Sequence, residues 1–224
     1  MGSREMNVPL GVRTTSTLKL AARLTWATVS TTKTGEAKDA LERGDFEGAF
    51  RIVEEAVGAA PDDPEARELY AVTHLAKAIR LSDRAREARR QELIRRAIDY
   101  DVEFEDTADV SRMFDEALAA IEDVLRVQPG HWKALLLKAS LLFRKDRVAG
   151  RPQALEILAK LADADPTNRQ VPFTIRKIER PCPRCEDTGF CSYCKGRGSK
   201  RFLRIESKCA KCYGRGICPA CGLL

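Results

Sequence analysis

All eight cysteines of the chain lie in its last 43 residues, and their regular spacing is the first feature that could carry chemistry. They form four C-x-x-C pairs, which are separated by five, fourteen and five residues. The pairs are Cys182 and Cys185, Cys191 and Cys194, Cys209 and Cys212, and Cys218 and Cys221. Two such pairs supply the four thiolates of a tetrahedral zinc site. We therefore predict two zinc ions per chain, with no cysteine left over.

Disulfides and redox-active thiols are the competing uses of C-x-x-C pairs. Disulfides persist only in oxidising compartments, and nothing in the chain resembles a secretory signal. The one apolar stretch near the start, residues 18–29, is interrupted by Lys19 and Arg23. We also expect no membrane-spanning segment. These observations favour zinc in a cytoplasmic protein over disulfides, and they leave thiol-disulfide exchange as an alternative.

Glycines follow the two inner cysteine pairs at fixed distances. Residues 191–198 read CSYCKGRG and residues 209–216 read CAKCYGRG. Gly196 and Gly214 stand where a tight turn with positive φ would bring backbone N–H groups towards the sulfurs. This C-x-x-C-x-G-x-G pattern resembles the cysteine-rich zinc finger of DnaJ-type chaperones, and the resemblance covers about residues 182–221.

The outer two motifs depart from that pattern. The first reads CPRCEDTG, with Asp187 in place of the first glycine, and the fourth reads CPACGLL, with Gly222 directly after Cys221. The resemblance implies that the outer pairs share one zinc and the inner pairs the other, whereas spacing alone also allows neighbouring pairs to share an ion. The implied sets are Cys182, Cys185, Cys218 and Cys221 for zinc 1, and Cys191, Cys194, Cys209 and Cys212 for zinc 2.

The chain before the cysteines is helical and internally repeated. From Glu36 to about Asp165 it is rich in Ala, Leu, Glu and Arg with helical periodicity. One set of residues recurs after 68 positions, which is twice the 34-residue period of tetratricopeptide repeats. The set Phe46, Ala49, Glu54, Pro61, Ala66 and Ala71 returns as Phe114, Ala117, Glu122, Pro129, Ala134 and Ala139. Residues 151–166 resemble the second helix of one more such repeat, again with a proline twelve residues after an alanine.

We therefore predict a mostly α fold, a tetratricopeptide-like helical-hairpin solenoid followed by a small two-zinc β-hairpin finger. The predicted segments are a flexible leader with a capping helix at 1–34, repeats with an irregular middle at 35–169, a linker at 170–181 and the finger at 182–224. Residues 6–35 contain no Asp or Glu, a composition that an organellar transit peptide would share. In the irregular middle, a basic helix at 80–96 precedes an acidic stretch at 99–109. Solvated faces are favoured there over a partner-docking feature.

The charge of the finger is smaller than its composition suggests. From Arg176 to the end there are twelve Lys or Arg and four Asp or Glu. Eight thiolates and two zinc ions lower that apparent excess by four charges, so the metal-loaded finger is near +4. Within RGSKRFLRIESK at 197–208, Lys200 and Arg201 could contact phosphate, whereas Phe202 and Leu203 could anchor a protein partner.

No catalytic motif accompanies these features. His74 and His131 have no companion ligands or nucleophile in the sequence, and we expect both to be structural or surface residues. The His-Pro-Asp tripeptide of J-domains is absent, and so are the helical asparagines of tetratricopeptide clamps that hold heat-shock protein tails. The sequence favours a non-enzymatic protein-binding module, a chaperone-like or assembly factor that binds a client or complex subunit. The alternatives are a nucleic-acid adapter that uses the basic finger, and a thiol-disulfide oxidoreductase.

Overall fold

A computed structural model describes residues 33–96, 104–202 and 205–221, with the Phe202 side chain excepted. The described part contains seven helices and one two-stranded antiparallel sheet, so the mostly α prediction is confirmed. The helices are α1 (33–42), α2 (Phe46–Ala59), α3 (Pro64–Arg96), α4 (Ala108–Val127), α5 (Trp132–Lys145), α6 (Gly150–Ala164) and α7 (Gln170–Ile178). The strands are β1 (Ser199–Phe202) and β2 (Ile205–Lys208). The predicted leader lies outside the described residues except for its last two, which belong to α1.

The chain divides into two compact units, Met1–Tyr70 and Ala71–Leu224, with the boundary inside α3. In the described part of the first unit, small and apolar side chains such as Ala40, Ala49 and Val53 are buried. Asp45 caps α2 by accepting a hydrogen bond from the Gly48 N–H at 2.9 Å. Such a cap satisfies an N–H that the first turn of a helix leaves without a partner.

The second unit begins with the packing of α3 against α4 and α5. Its core contains the small residue Ala71 of α3, Ala117 and Ile121 of α4, and Leu141 of α5, all without solvent exposure. Because alanine side chains are short, the helices can approach one another closely at these positions. The 68-residue recurrence predicted these small positions, and Ala71 does lie against α4, the second helix of its own repeat.

A second cluster joins α5, α6 and α7. Ala139 of α5 packs with Ala154 and Leu158 of α6, as the repeat register predicted. The segment predicted as a linker, 170–181, is instead helical at Gln170–Ile178, and its Val171 and Ile178 belong to this core. The sequence QVPFTIRKI gave little helical signal because it is short and rich in β-branched residues. Its proline is tolerated because it lies in the first turn, where an N–H has no helical partner.

The basic stretch at 80–96 is helical, as predicted, but it continues α3 without a break, so that α3 is 33 residues long. It is not simply a solvated face. Four of its residues at helical spacing are buried, namely Ser82, Ala85, Arg89 and Leu93. Ala85 packs on Val110 and Phe114 of α4. We call residues 80–96 the α3 extension. Residues 97–103, which include much of the acidic stretch, lie outside the described residues.

Arg89 connects the α3 extension to two other parts of the unit. Its guanidinium pairs with both carboxylate oxygens of Asp106, with Nε 2.7 Å from Oδ1. It also donates to the carbonyls of Arg144 at 2.9 Å and Lys145 at 3.2 Å, in the last turn of α5. A helix leaves its last carbonyls without internal partners and carries partial negative charge there, so a cation is favourable at that end. Asp106 is therefore a structural partner of Arg89 rather than one of the predicted solvated acids.

The two histidines have structural surroundings. His131 caps α5, its Nδ1 accepting a hydrogen bond from the Ala134 N–H at 3.1 Å. His74 is buried in α3, and burial lowers its pKa to about 4 even though nearby Asp123 acts in the opposite direction. Within the described ranges, no helix combines the length and the apolar character that crossing a bilayer would require.

Candidate metal centres

The cysteine pairs lie on tight turns whose backbone is left-handed. After the second pair Lys195 and Gly196 have φ of 53° and 80°, and after the third pair Tyr213 and Gly214 have φ of 55° and 83°. The positive φ expected at Gly196 and Gly214 is therefore present. Such turns fold the chain back on itself within a few residues, so that both cysteines of a pair face the same point.

The second glycine of each inner motif donates its backbone N–H to the second sulfur of the pair. The Gly198 N–H lies 3.3 Å from Cys194 Sγ, and the Gly216 N–H lies 3.2 Å from Cys212 Sγ. The donors are thus the second glycines of the motifs, while the first glycines make the turn. Gly198 and Gly216 have little space for a side chain, because a Cβ on Gly216 would stand 2.1 Å from the Gly196 carbonyl oxygen. The turns of the inner pairs are packed directly against one another.

The eight sulfurs gather into two groups of four, each with all Sγ atoms within 4.8 Å of one another. The outer pairs form one group and the inner pairs the other, which is the nested arrangement that the resemblance implied. Sγ atoms are 4.0 Å apart between Cys182 and Cys218, and 3.7 Å apart between Cys194 and Cys212. A tetrahedral zinc site with Zn–S bonds of about 2.3 Å has sulfur–sulfur edges of about 3.8 Å. The Sγ atoms of Cys191 and Cys209, 4.0 Å apart, are near that value, whereas those of Cys185 and Cys221 are closer, at 3.2 Å. Each group of four could hold a metal ion.

The electrostatics of the groups also fit a cation. Seven of the eight cysteines are buried, and Cys221 is partly buried. A hydrogen bond from Cys221 lowers the pKa of Cys185 to about 5, while the same contact raises the pKa of Cys221. Burial raises the pKa of Cys194 to about 12. Four thiolates this close together would repel one another, and a divalent cation between them would stabilise all four.

Asp187 contacts the first cysteine turn, and the sequence indicated it only as a departure from the motif. It stands where the inner motifs have their first glycine, and it adopts the same left-handed backbone, with φ of 65°. Aspartate tolerates this conformation better than most residues. Its carboxylate accepts a hydrogen bond from the Cys182 N–H at 2.7 Å and pairs with Arg151 of α6. The substitution therefore fastens the first turn to the helices.

The loop between the inner pairs forms the predicted hairpin, in which β1 pairs with β2 from Ser199 with Lys208 to Phe202 with Ile205. Lys200 and Arg201 are exposed, and the Lys200 ammonium lies 3.5 Å from the centre of the Tyr193 ring. Of the predicted apolar anchors, Leu203 and the Phe202 side chain lie outside the described residues. No sequence pattern marked the exposed side chains of Tyr193, Ile205 and Tyr213, which are 50%, 71% and 79% accessible.

Comparison with protein families bears on the helices. The model of the tetratricopeptide repeat matches residues 34–99 and 107–169, which together make more than half of the chain. The chain belongs to the tetratricopeptide-repeat family. The cysteine-rich segment lies outside both matched ranges. Comparisons of this tetratricopeptide-repeat protein with curated proteins and with solved structures found no match.

The family match and the sulfur geometry support different parts of the sequence analysis. Tetratricopeptide repeats are built to present surfaces to other proteins, so the repeats indicate a protein–protein interaction module. The cysteines form two groups of four that could each hold a metal ion.

Proposed function

We propose that the protein is a non-enzymatic binding module, in which the helical repeats and a two-zinc finger of DnaJ type together engage a protein client or complex subunit. A chaperone-like or assembly role follows from that combination. The observation that carries the proposal is the closure of both sulfur groups. Each offers four converging, largely buried donors, which is the arrangement of a structural zinc site rather than of a catalytic one with an open position.

Zinc would supply the folding free energy that the finger lacks. The described finger contains few large apolar residues, whereas one structural zinc contributes on the order of 10–16 kcal/mol in zinc-finger peptides. Zinc 1 would be held by the outer sulfur group and zinc 2 by the inner group. The test is elemental analysis together with X-ray absorption of the purified chain. We expect two zinc ions, each with four sulfur ligands near 2.3 Å; fewer than two would contradict the proposal.

A protein partner would contact the hairpin and the turns beside it. Ile205 and Tyr213 expose most of their surface there. Ile205 lies on β2, which pairs with the strand that carries the basic residues Lys200 and Arg201. Apolar and aromatic side chains at the centre of an interface typically carry 2 kcal/mol or more of binding free energy. We propose Phe202 and Leu203, which precede β2 in the sequence, as further anchors.

A nucleic-acid partner is the second candidate, and one observation favours it. The described residues from Cys191 to Ile217 contain seven Lys or Arg and a single acid, Glu206. Basic side chains can bind a phosphate backbone, and the exposed tyrosines between them can stack on nucleobases. Against this, four thiolates and one zinc ion would remove two positive charges from the inner half of the finger.

Salt dependence separates the two candidates. A partner held through phosphate contacts loses affinity steeply with salt, and the slope falls by roughly one for each base removed. A protein partner held by apolar anchors should survive moderate salt and be lost in Phe202→Ala. We expect Phe202→Ala to weaken partner capture more than Lys200→Ala and Arg201→Ala combined. The opposite pattern would establish the nucleic-acid adapter instead. In that case RNA or DNA binds tightly, Lys200→Ala and Arg201→Ala abolish the binding, and Phe202→Ala leaves it intact.

The oxidoreductase alternative is tested by thiol titration. Sulfurs that are buried and bound to zinc react slowly with thiol reagents. We expect the metal-loaded protein to show fewer than one rapidly reacting thiol, and the chelated protein to show eight.

A further inference from the structure

Arginines from three parts of the helical region converge on the finger. Arg90 of the α3 extension donates to the carbonyl oxygens of Arg197 at 3.2 Å and Gly196 at 3.5 Å. Arg147, in the turn between α5 and α6, donates to the Thr188 carbonyl. Arg151, in the first turn of α6, pairs with Asp187. The finger is therefore part of the same compact unit as these helices rather than an appended domain.

The contacts fall on the turns that hold the sulfurs. Gly196 and Arg197 lie between Cys194 and the glycine whose N–H donates to Cys194 Sγ. Thr188 and Asp187 follow Cys185, and Asp187 also binds the Cys182 N–H. The fit is close, because a Cβ on Gly216 would come within 3.0 Å of Arg90 Cδ. If the turns lost their shape, these carbonyls and the carboxylate would no longer face the arginines.

The surface beneath the finger is rich in positive charge. A cavity of about 330 Å³ lies between the α3 extension and the finger. Beside Cys221 it is lined by five arginines and three acids, namely Arg86, Arg89, Arg90, Arg144, Arg147, Asp83, Glu87 and Asp187. Burial, and next the nearby Arg86, lower the pKa of Arg144 to about 10. Carboxylates on the same helix offset part of this charge, since Asp83 pairs with Arg86 and Glu87 pairs with Arg90. A zinc ion bound by four thiolates carries a net charge of −2. A loaded outer centre, whose Cys221 lines the cavity, would therefore add to this compensation.

We infer that the α3 extension, with Arg147 and Arg151, is a docking site for the chain's own metal-loaded finger, so that metal binding and docking of the finger onto the helical repeats are linked. This inference rests on the proposed zinc sites. It assigns a role to the basic stretch at 80–96 that membership of the repeat family does not explain. Because linkage is reciprocal, docking must also tighten metal binding.

The decisive experiment compares two arginines of α3 in the full metal-loaded chain. Both Arg90 and Arg95 pair with a glutamate three residues earlier, Glu87 and Glu92. Of the two, only Arg90 also contacts a described residue of the finger. The measurement is the rate at which zinc is lost to an excess of a chromogenic chelator. Loss of a charge-assisted hydrogen bond should speed zinc release by about tenfold in Arg90→Gln. Arg95→Gln should release zinc at the wild-type rate, and equal rates in the two variants would overturn the inference.

A second measurement follows docking directly. Hydrogen exchange of the α3 extension is recorded for the wild-type chain before and after chelation. We expect chelation to raise exchange in the last turns of α3 by about tenfold or more, because the finger no longer covers them. Unchanged protection of α3 would show that the finger docks without metal, or not at all, and would overturn the inference.

A folding control and an independent variant complete the test. If Arg90→Gln lowers far-ultraviolet helicity, the comparison passes to Arg147→Gln, whose arginine lies outside the helices. Faster zinc release in that variant supports the inference, and an unchanged rate overturns it. The zinc content of the wild type separates the two proposals. If the wild type holds two zinc ions and the variants release them at the wild-type rate, only the docking inference is overturned. If the wild type holds no zinc, both proposals are overturned.

Discussion

Replacing Arg89 tests whether one buried ion pair fastens the α3 extension to the end of α5. Arg89 is 2% exposed, and its guanidinium also lies 4.9 Å from the centre of the Phe114 ring. Arg89→Met keeps much of the side-chain volume while removing every hydrogen bond of the guanidinium. It leaves the carboxylate of Asp106 and two carbonyls of α5 without their cation.

The expected cost follows from what remains buried. Removing one member of a buried, hydrogen-bonded ion pair typically costs 3–5 kcal/mol, and we expect Arg89→Met to lose about 3–5 kcal/mol of unfolding free energy. Asp106→Asn keeps the bonds from Arg89 to the α5 carbonyls and should lose about 1–3 kcal/mol. Because the two residues share contacts, the double variant should lose less than the sum of the single losses, by about 1–3 kcal/mol.

The assay is urea unfolding with zinc in excess, followed by far-ultraviolet circular dichroism. Arg95→Met serves as the matched control, since Arg95 belongs to the same helix but is exposed and, among the described residues, pairs with neighbouring Glu92. Its unfolding midpoint should equal that of the wild type. If Arg89→Met unfolds at the midpoint of Arg95→Met, or if the losses of the two partners add fully, the ion pair does not hold these helices together.

Three further predictions concern the metal, the repeat register and pH. Cys194→Ser should reduce the zinc content below two while keeping most of the helical circular dichroism, because the repeats stabilise one another through neighbouring contacts; a large loss of helicity would contradict this. Ala139→Leu should overpack the contact between α5 and α6 and cost about 1–3 kcal/mol. The same change at exposed Ala119 should do much less in thermal melts, and equal effects would contradict the register. His74, whose folded pKa of about 4 lies below the usual 6.5, stabilises the fold above pH 6.5 and loses that contribution as pH falls towards 4. Between pH 7 and 5 the wild type should therefore lose about 2 kcal/mol more than His74→Gln in urea unfolding.

The sequence predicted the features that depend on local pattern. Helices and their repeat register could be read from the recurrence of Ala71 and Ala139, because small residues and terminating prolines recur at helical spacing. The metal-ligand candidates could be read from the C-x-x-C spacing, since a pair of thiolates must converge on one point.

What the sequence did not predict depends on contacts between distant residues. Arg89 meets Asp106 after 17 residues and the Arg144 carbonyl after 55, and no periodicity marks such a pairing. Arg90 reaches the finger more than a hundred residues away. The helix α7 was missed for a different reason, because packing against α6 outweighs its weak intrinsic helix propensity. Asp187 was visible only as an exception to the glycine pattern.

The unbroken α3 extension constrains how this chain can change its length. Each residue of an α-helix advances about 1.5 Å and turns about 100°. One residue inserted between Ala78 and Arg86 would rotate Arg89 away from Asp106 and Arg90 away from the finger together. Seven inserted residues make nearly two whole turns. They would restore the directions of both arginine side chains but displace the side chains by about 10 Å along the helix axis. Substitutions can therefore accumulate on the exposed side of this helix, whereas insertions and deletions within it are strongly disfavoured.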